Sequence, residues 1–208
     1  MAFNIDKYAH LLKTDKPFFW HGQSTDKNGR KFGGSGNAAR IAELHGGKTI
    51  KMCLIDNMEI FKEAGVEFLP IERKDGSTFY RINYGSSLEE RDKFWILCAI
   101  AFTFNSEGNV HCSEGTDKRE GGIEEYEAKC IYNNIEVPIM HLARNVQSIT
   151  KVDPVLGQQK EIITLAEEFK RIYGTISSQE VVTHLITNLE KENITKQSLP
   201  PNLLEKQR

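Results

Sequence analysis

Phe18-Phe19-Trp20-His21-Gly22 is the stretch on which the fold turns. With Lys16 and Pro17 ahead of it, the run reads as a short extended segment that ends on the first of two tryptophans, and the glycine marks where the chain turns. Outward from it, residues 23–36 are polar and glycine-rich with no apolar period, which predicts a loop. Asn37 to His45 then sets Ala38, Ile41, Ala42 and Leu44 on one side of a helix closed by Gly46. Thr49 to Ile55 reads as strand-like or buried chain, and Ile5 to Lys13 as a short helix.

Further along, Asp56 with Glu59 and Ser87 with Glu90 are spaced as capping boxes, one for a short helix to Gly65 and one for a long apolar helix through Phe102. Between them, Lys74-Asp75-Gly76-Ser77 is a turn joining two strand-like stretches. Asn109 to Ser113, Tyr126 to Tyr132 and Ile135 to Ala143 are short apolar stretches suited to a small sheet. Lys160 to Tyr173 and Ser177 to Glu192 predict two amphipathic helices, the second with a capping box from Ser177 and Glu180. Thr195 to Arg208, with Pro200-Pro201, reads as a loose tail.

With 208 residues, 39% of them hydrophobic, the chain can bury a sizeable core. A net charge of −2, with Lys and Arg scattered, supplies no basic field for nucleic acid. No apolar run reaches the roughly 20 residues of a membrane span, and the N-terminus lacks a Sec-type signal pattern. Cys53, Cys98, Cys112 and Cys130 lie far apart in apolar contexts without zinc-ligand spacing, which predicts buried free thiols and a reducing, cytosolic compartment.

Several chemistries find no footing in the motifs. Ala42-Glu43-Leu44-His45-Gly46-Gly47-Lys48-Thr49 matches a relaxed phosphate-loop pattern, but the helix expected before the glycines and the strand-like segment expected after them reverse the context that such a loop needs. Gly33-Gly34-Ser35-Gly36 does open a helix and could touch a pyrophosphate. The six histidines never take zinc-ligand spacing, so no metal site is expected, and no GxSxG elbow is present. Each of Phe18-Phe19-Trp20 and Phe94-Trp95-Ile96-Leu97 could simply fill a core, and Glu124, Glu125 and Glu127 could line a solvated face.

Taken in order, Phe19-Trp20-His21-Gly22, Gly46-Gly47-Lys48-Thr49-Ile50-Lys51, Phe94-Trp95, Val110-His111 and Ile123-Glu124-Glu125-Tyr126-Glu127 resemble the motif series of the ADP-ribosyl cyclase family and its bacterial toxin relatives. Arg81-Ile82-Asn83-Tyr84 echoes a further run of animal members, and the resemblance covers roughly residues 16–155. It implies an α+β fold: a helical N-terminal lobe (1–105) packed on an α/β lobe (106–194) with a small, mainly parallel sheet, and the tail 195–208 beyond. It also implies a NAD-consuming enzyme that cleaves the nicotinamide–ribose bond to give nicotinamide with ADP-ribose or cyclic ADP-ribose. NAD is then the substrate, and no cofactor is needed.

Carried over by position, Glu127 is the essential acid, which holds the ribosyl hydroxyls and stabilises the oxocarbenium-like centre. Trp20 and Trp95 are the aromatic walls of the nicotinamide pocket. Indole faces attract the cationic ring and a carboxylate steadies developing positive charge, so the chemistry suits the residue types. His21, Gly22, Lys51 and Ala99 fall at substrate-binding positions. Lys51 stands where the family has a glutamate and Ala99 where animal enzymes have a serine, departures that bear on the product ratio. A cytosolic chain of this kind fits a bacterial toxin or an effector delivered into another cell. The alternatives are a catalytically degraded nucleotide- or protein-binding module of the same fold, and an unrelated α+β interaction protein.

Overall fold

A computed structural model describes residues 4–72, 78–83, 88–115 and 130–205, with the backbone alone at 68, 78–83, 88, 89 and 205. The expected strand forms: Phe18–His21 is β1, and its alternation sends Phe18 against Ile41 and Ala42 on one face of a sheet, Phe19 against Phe102 and Tyr132 on the other. β6 (Gly108–Glu114) and β7 (Val146–Val152) run parallel to β1, and β8 (Gln159–Thr164) closes the order β1-β6-β7-β8 antiparallel to β7. Two hairpins lie outside this sheet: β2 (Gln23–Thr25) with β3 (Lys31–Gly33), and β4 (Glu67–Glu72) with β5 (Thr78–Asn83).

Helix α1 (Gly34–Leu44) covers the Phe18 face through Ile41 and Ala42, joined by Val152 of β7. The opposite face meets the main core, to which α4 (Leu88–Phe104), α5 (Val137–Ala143), α6 (Leu165–Tyr173) and α7 (Ser178–Lys191) contribute. The chain is thus mixed α/β around a four-stranded, mostly parallel sheet, as expected. β1 comes from before residue 105 and pairs with β6 after it, so the sheet crosses the boundary drawn between the two lobes.

Several local expectations are corrected. Ile5 to Lys13 forms two 3-10 turns, Ile5–Lys7 and Ala9–Leu11, not one helix. The 23–36 loop contains β2, β3 and the start of α1, strands too short and polar to show an apolar period. Thr49 to Ile55 is not a strand: Thr49 caps α2 (Ile50–Asp56) by accepting from the Met52 amide, and this capping outweighs the β-branched run. Asp56 ends α2 and pairs with Lys48 instead of capping α3 (Glu59–Glu63).

Ile135 to Ala143 is helical. A π-turn over Tyr132–Glu136 runs into α5, and burial on every side erases the periodicity that separates helix from strand. The helix expected from Lys160 starts only at Leu165, because Thr164 and Glu167 form a capping box and the residues before them pair with β7 as β8. β7 itself was missed. The tail is not loose: a 3-10 turn, Lys196–Ser198, and α8 (Pro201–Glu205) drop Leu199 and Leu203 into the main core. Lys74–Ser77, Ser87 and residues 126–129 lie outside the described residues. All four cysteines are buried and free, and among the described residues no helix is long and apolar enough to cross a membrane.

Candidate functional site

The parallel strands β1 and β6 end together, with His21 opposite Glu114 and the Gly115 amide donating to the His21 carbonyl. Ligands of open α/β sheets gather at these carboxyl ends. Gly22 has φ +73°, a conformation few side chains tolerate, and a Cβ on Gly115 would stand 2.0 Å from the Gln23 amide nitrogen. Glycines here let two strand exits pass in backbone contact. β3 continues the surface by setting Gly33 against the Gly22 carbonyl, and α1 rises from Gly34 directly after it.

On the main-core face of these strand ends lies a polar cluster. β6 alternation puts Glu114 on the side of Val110 and Cys112, and β7 puts Lys151 on the side of Ile149. Lys151 Nζ donates to Glu114 Oε2 at 2.9 Å and to Glu168 Oε1 at 2.6 Å. Glu168, on the buried stripe of α6, also accepts from Arg171 Nε at 2.9 Å and from the Tyr132 hydroxyl at 3.1 Å. Arg171 Nη2 reaches Glu114 Oε1 at 3.3 Å, and the His21 imidazole stacks on Tyr132 with centroids 4.6 Å apart.

The protonation states follow from the packing. Burial lowers the His21 pKa to about 4 against the raising effect of Glu114, so the ring is neutral near pH 7. For Glu168 burial pushes upward, but the Arg171 hydrogen bond and the Lys151 charge outweigh it and hold the carboxyl at about 2. Glu114 is likewise depressed: burial opposes ionisation, and Lys151 leads the groups that overcome it. Lys151 stays charged because its carboxylate partners overcome its desolvation. Two cations therefore face two carboxylates, a paired arrangement that a buried charge requires.

Among the residues singled out from sequence, His21 and Gly22 belong to this strand-end surface. Lys51 sits on α2 with Nζ 3.4 Å from Ser35 Oγ in the first turn of α1, and burial lowers its pKa. Trp20 and Trp95 are both half-buried against the main core, and Ala99 is buried within it. Asp92 and Ile96, which flank Trp95 on α4, line a cleft of about 310 Å³ with Cys130, Ile135 and Asn188. Glu127, with Glu124 and Glu125, lies outside the described residues; its segment leaves them at Gly115 and re-enters at Cys130.

Glu114, Lys151, Glu168, Arg171 and Tyr132 escaped the sequence reading. One signal was available for Glu168: it shares the apolar stripe of α6 with Leu165 and Phe169, and an acid there requires a cationic partner. Gly46-Gly47-Lys48-Thr49 does precede a helix, contrary to expectation, but α1 rather than a strand leads into it. Its backbone is stitched to the start of β1, with Lys48 donating to the Lys16 carbonyl and Phe18 donating back to Lys48. Among the described residues, no group of three His, Cys, Asp or Glu side chains is placed to hold a metal ion.

Comparison with protein-family models, with curated proteins and with solved structures finds no match to this chain.

Proposed function

We propose that the chain is a NAD-consuming enzyme of the ADP-ribosyl cyclase fold. In this reading it cleaves the nicotinamide–ribose bond and releases nicotinamide with ADP-ribose or cyclic ADP-ribose, and acts as a toxin or effector. One observation carries the reading. Two motifs far apart in sequence, Trp20-His21-Gly22 and the end of the Val110-His111 strand, adjoin at the carboxyl ends of parallel strands, and the opening of α1 continues the same surface. This is where such sheets bind nucleotides.

The parts take roles by their chemistry. The first turn of α1 has no side-chain cap at Gly33 and carries the positive end of a helix dipole, and Lys51 Nζ lies beside it, so an anion such as the NAD diphosphate is favoured there. Bound to a phosphate, the Lys51 side chain does not oppose the cationic nicotinamide ring. Trp20 and Trp95 supply aromatic faces for that ring. Glu127, the acid taken from the motif, stabilises the ribosyl cation once neutral nicotinamide departs. Water or the adenine N1 of the same molecule then attacks the ribosyl carbon.

The test is NAD turnover by purified protein, with nicotinamide, ADP-ribose and cyclic ADP-ribose separated chromatographically beside Glu127→Gln. Nicotinamide release by the wild type should fall at least a hundredfold in the variant. Equal release from both proteins would overturn the role of Glu127. NAD binding without release by the wild type would point to the binding module.

A further inference from the structure

Between α4, the π-turn and α7 lies the cleft of about 310 Å³, whose lining shares no residue with the strand-end cluster. Its volume falls at the lower end of the range that small-molecule pockets occupy, about 300 to 1000 Å³. The π-turn supplies one wall through Asn134 and Ile135. Such turns are rare and concentrate at functional positions.

The lining divides by chemistry. Ile96, Cys130 and Ile135 are buried and give it an apolar floor, which Ile131, 37% exposed, continues to the rim. Its charged groups are Asp92 on α4, Lys191 in the last turn of α7 and Glu192 at the C-cap of that helix. Two carboxylates therefore stand against one ammonium, and the negative end of the α7 dipole adds to them. Lys191 is drawn toward its own helix: Nζ donates to Asn188 Oδ1 at 3.1 Å, and the Asn188 amide is fixed in that sense because its Nδ2 donates to His184 Nε2 at 2.8 Å. Arg91 engages one oxygen of Asp92, Oδ1, at 2.8 Å from both Nε and Nη2, so Oδ2 keeps its acceptor capacity. A phosphate or carboxylate entering here meets two like charges. A bare metal ion finds no third ligand, since among the described residues no group of three His, Cys, Asp or Glu side chains is placed to hold one. An organic cation with an aliphatic stem matches both parts, with N–H donors for the carboxylates and methylenes for the isoleucines.

We infer that the cleft is a binding site for a small organic cation, a free alkylguanidinium or alkylammonium molecule. Asp92 and Glu192 accept from its charged head, and Ile96, Ile131 and Ile135 bed its stem. The site is independent of the NAD reading and survives the failure of that reading.

The experiment follows the isoleucine methyl groups of the full chain by NMR, with Ile131 assigned through Ile131→Val. The probes are agmatine, which carries a guanidinium and an ammonium on a butyl stem, guanidinium chloride, which lacks the stem, and hexanoate, which reverses the charge. Agmatine should shift the Ile131 methyl saturably, while guanidinium chloride and hexanoate at matched ionic strength leave it in place. Asp92→Asn should weaken agmatine binding about tenfold, and Lys191→Ala should strengthen it about threefold. A methyl unmoved by agmatine, or moved equally by either other probe, overturns the site. Weaker binding of agmatine by Lys191→Ala overturns it as well, and tighter binding of an end-capped Gly-Arg-Gly peptide than of agmatine transfers the site to a protein's arginine and overturns the free ligand. Where a variant fails to fold, the wild-type titration decides alone.

Discussion

Two buried groups of opposite character set how stability depends on pH. His21 has a folded pKa near 4 against an ordinary 6.5, so the unfolded chain takes a proton first as pH falls. Its contribution, about 3 kcal/mol, is lost between pH 6.5 and 4. Glu136 in the π-turn is the reverse: burial raises it to about 8 from 4.5, the unfolded chain loses its proton first as pH rises, and up to about 5 kcal/mol is lost between pH 4.5 and 8. The windows overlap and offset between 4.5 and 6.5. Urea midpoints should therefore fall on either side of that range, and Glu136→Gln should abolish the fall between 6.5 and 8; an unchanged alkaline limb would refute this. Lys151→Met leaves Glu114 and Glu168 with the half-exposed Arg171 as their one remaining shared cation among the described residues, and a loss of about 3 kcal/mol is expected in urea unfolding. Only the i,i+3 pair of Glu168 with Arg171 has a local signal; partners such as Glu114 and Lys151 meet only once β6 and β7 lie side by side.

At the scale of elements, capping signals were legible in part: the spacing of Ser177 and Glu180 marks a true helix start, whereas that of Asp56 and Glu59 does not. Ser177 with Glu180 marks the start of α7 in sequence and does so in the structure, through reciprocal hydrogen bonds. Thr164 with Glu167 makes the same box and was passed over, because the residues before it look helical when β7 is not recognised as their partner. Thr164→Ala should cost about 1 kcal/mol of stability by chemical denaturation, and no change would mean that tertiary packing alone fixes where α6 begins. The long apolar α4 was legible from length, whereas α5 was not, since a seven-residue helix buried on all sides shows neither period nor cap. The strand-end surface was half legible. His21 and Gly22 stood out as the close of an extended run, but their proximity to Gly115 depends on the order of strands in the sheet, which no local signal specifies.

Across the whole molecule, a single main core draws on residues from Ile5 to Leu203, so the chain's first and last segments support the same interior. The final segment shows how weak a compositional argument is at a terminus. Pro200-Pro201 reads as a breaker, but proline is suited to the first turn of a helix, and here Pro201 opens α8 and carries Leu203 inward. Truncation after residue 195 withdraws Leu199 and Leu203 from the core. At roughly 1.5 to 3 kcal/mol for each leucine, it should lower stability by about 3 to 6 kcal/mol. A truncated chain with an unshifted melting midpoint would contradict the packing.

The pairing of β1 with β6 also governs how the chain is made. Phe18 finds its register partner at His111, 93 positions later, with β7 and β8 later still. At roughly 5 to 20 residues per second, a ribosome takes about 5 to 20 seconds to supply that partner. For that interval the nascent chain carries Phe18-Phe19-Trp20 as an unpaired, aromatic edge, the kind of segment that chaperones hold and that aggregates when they do not.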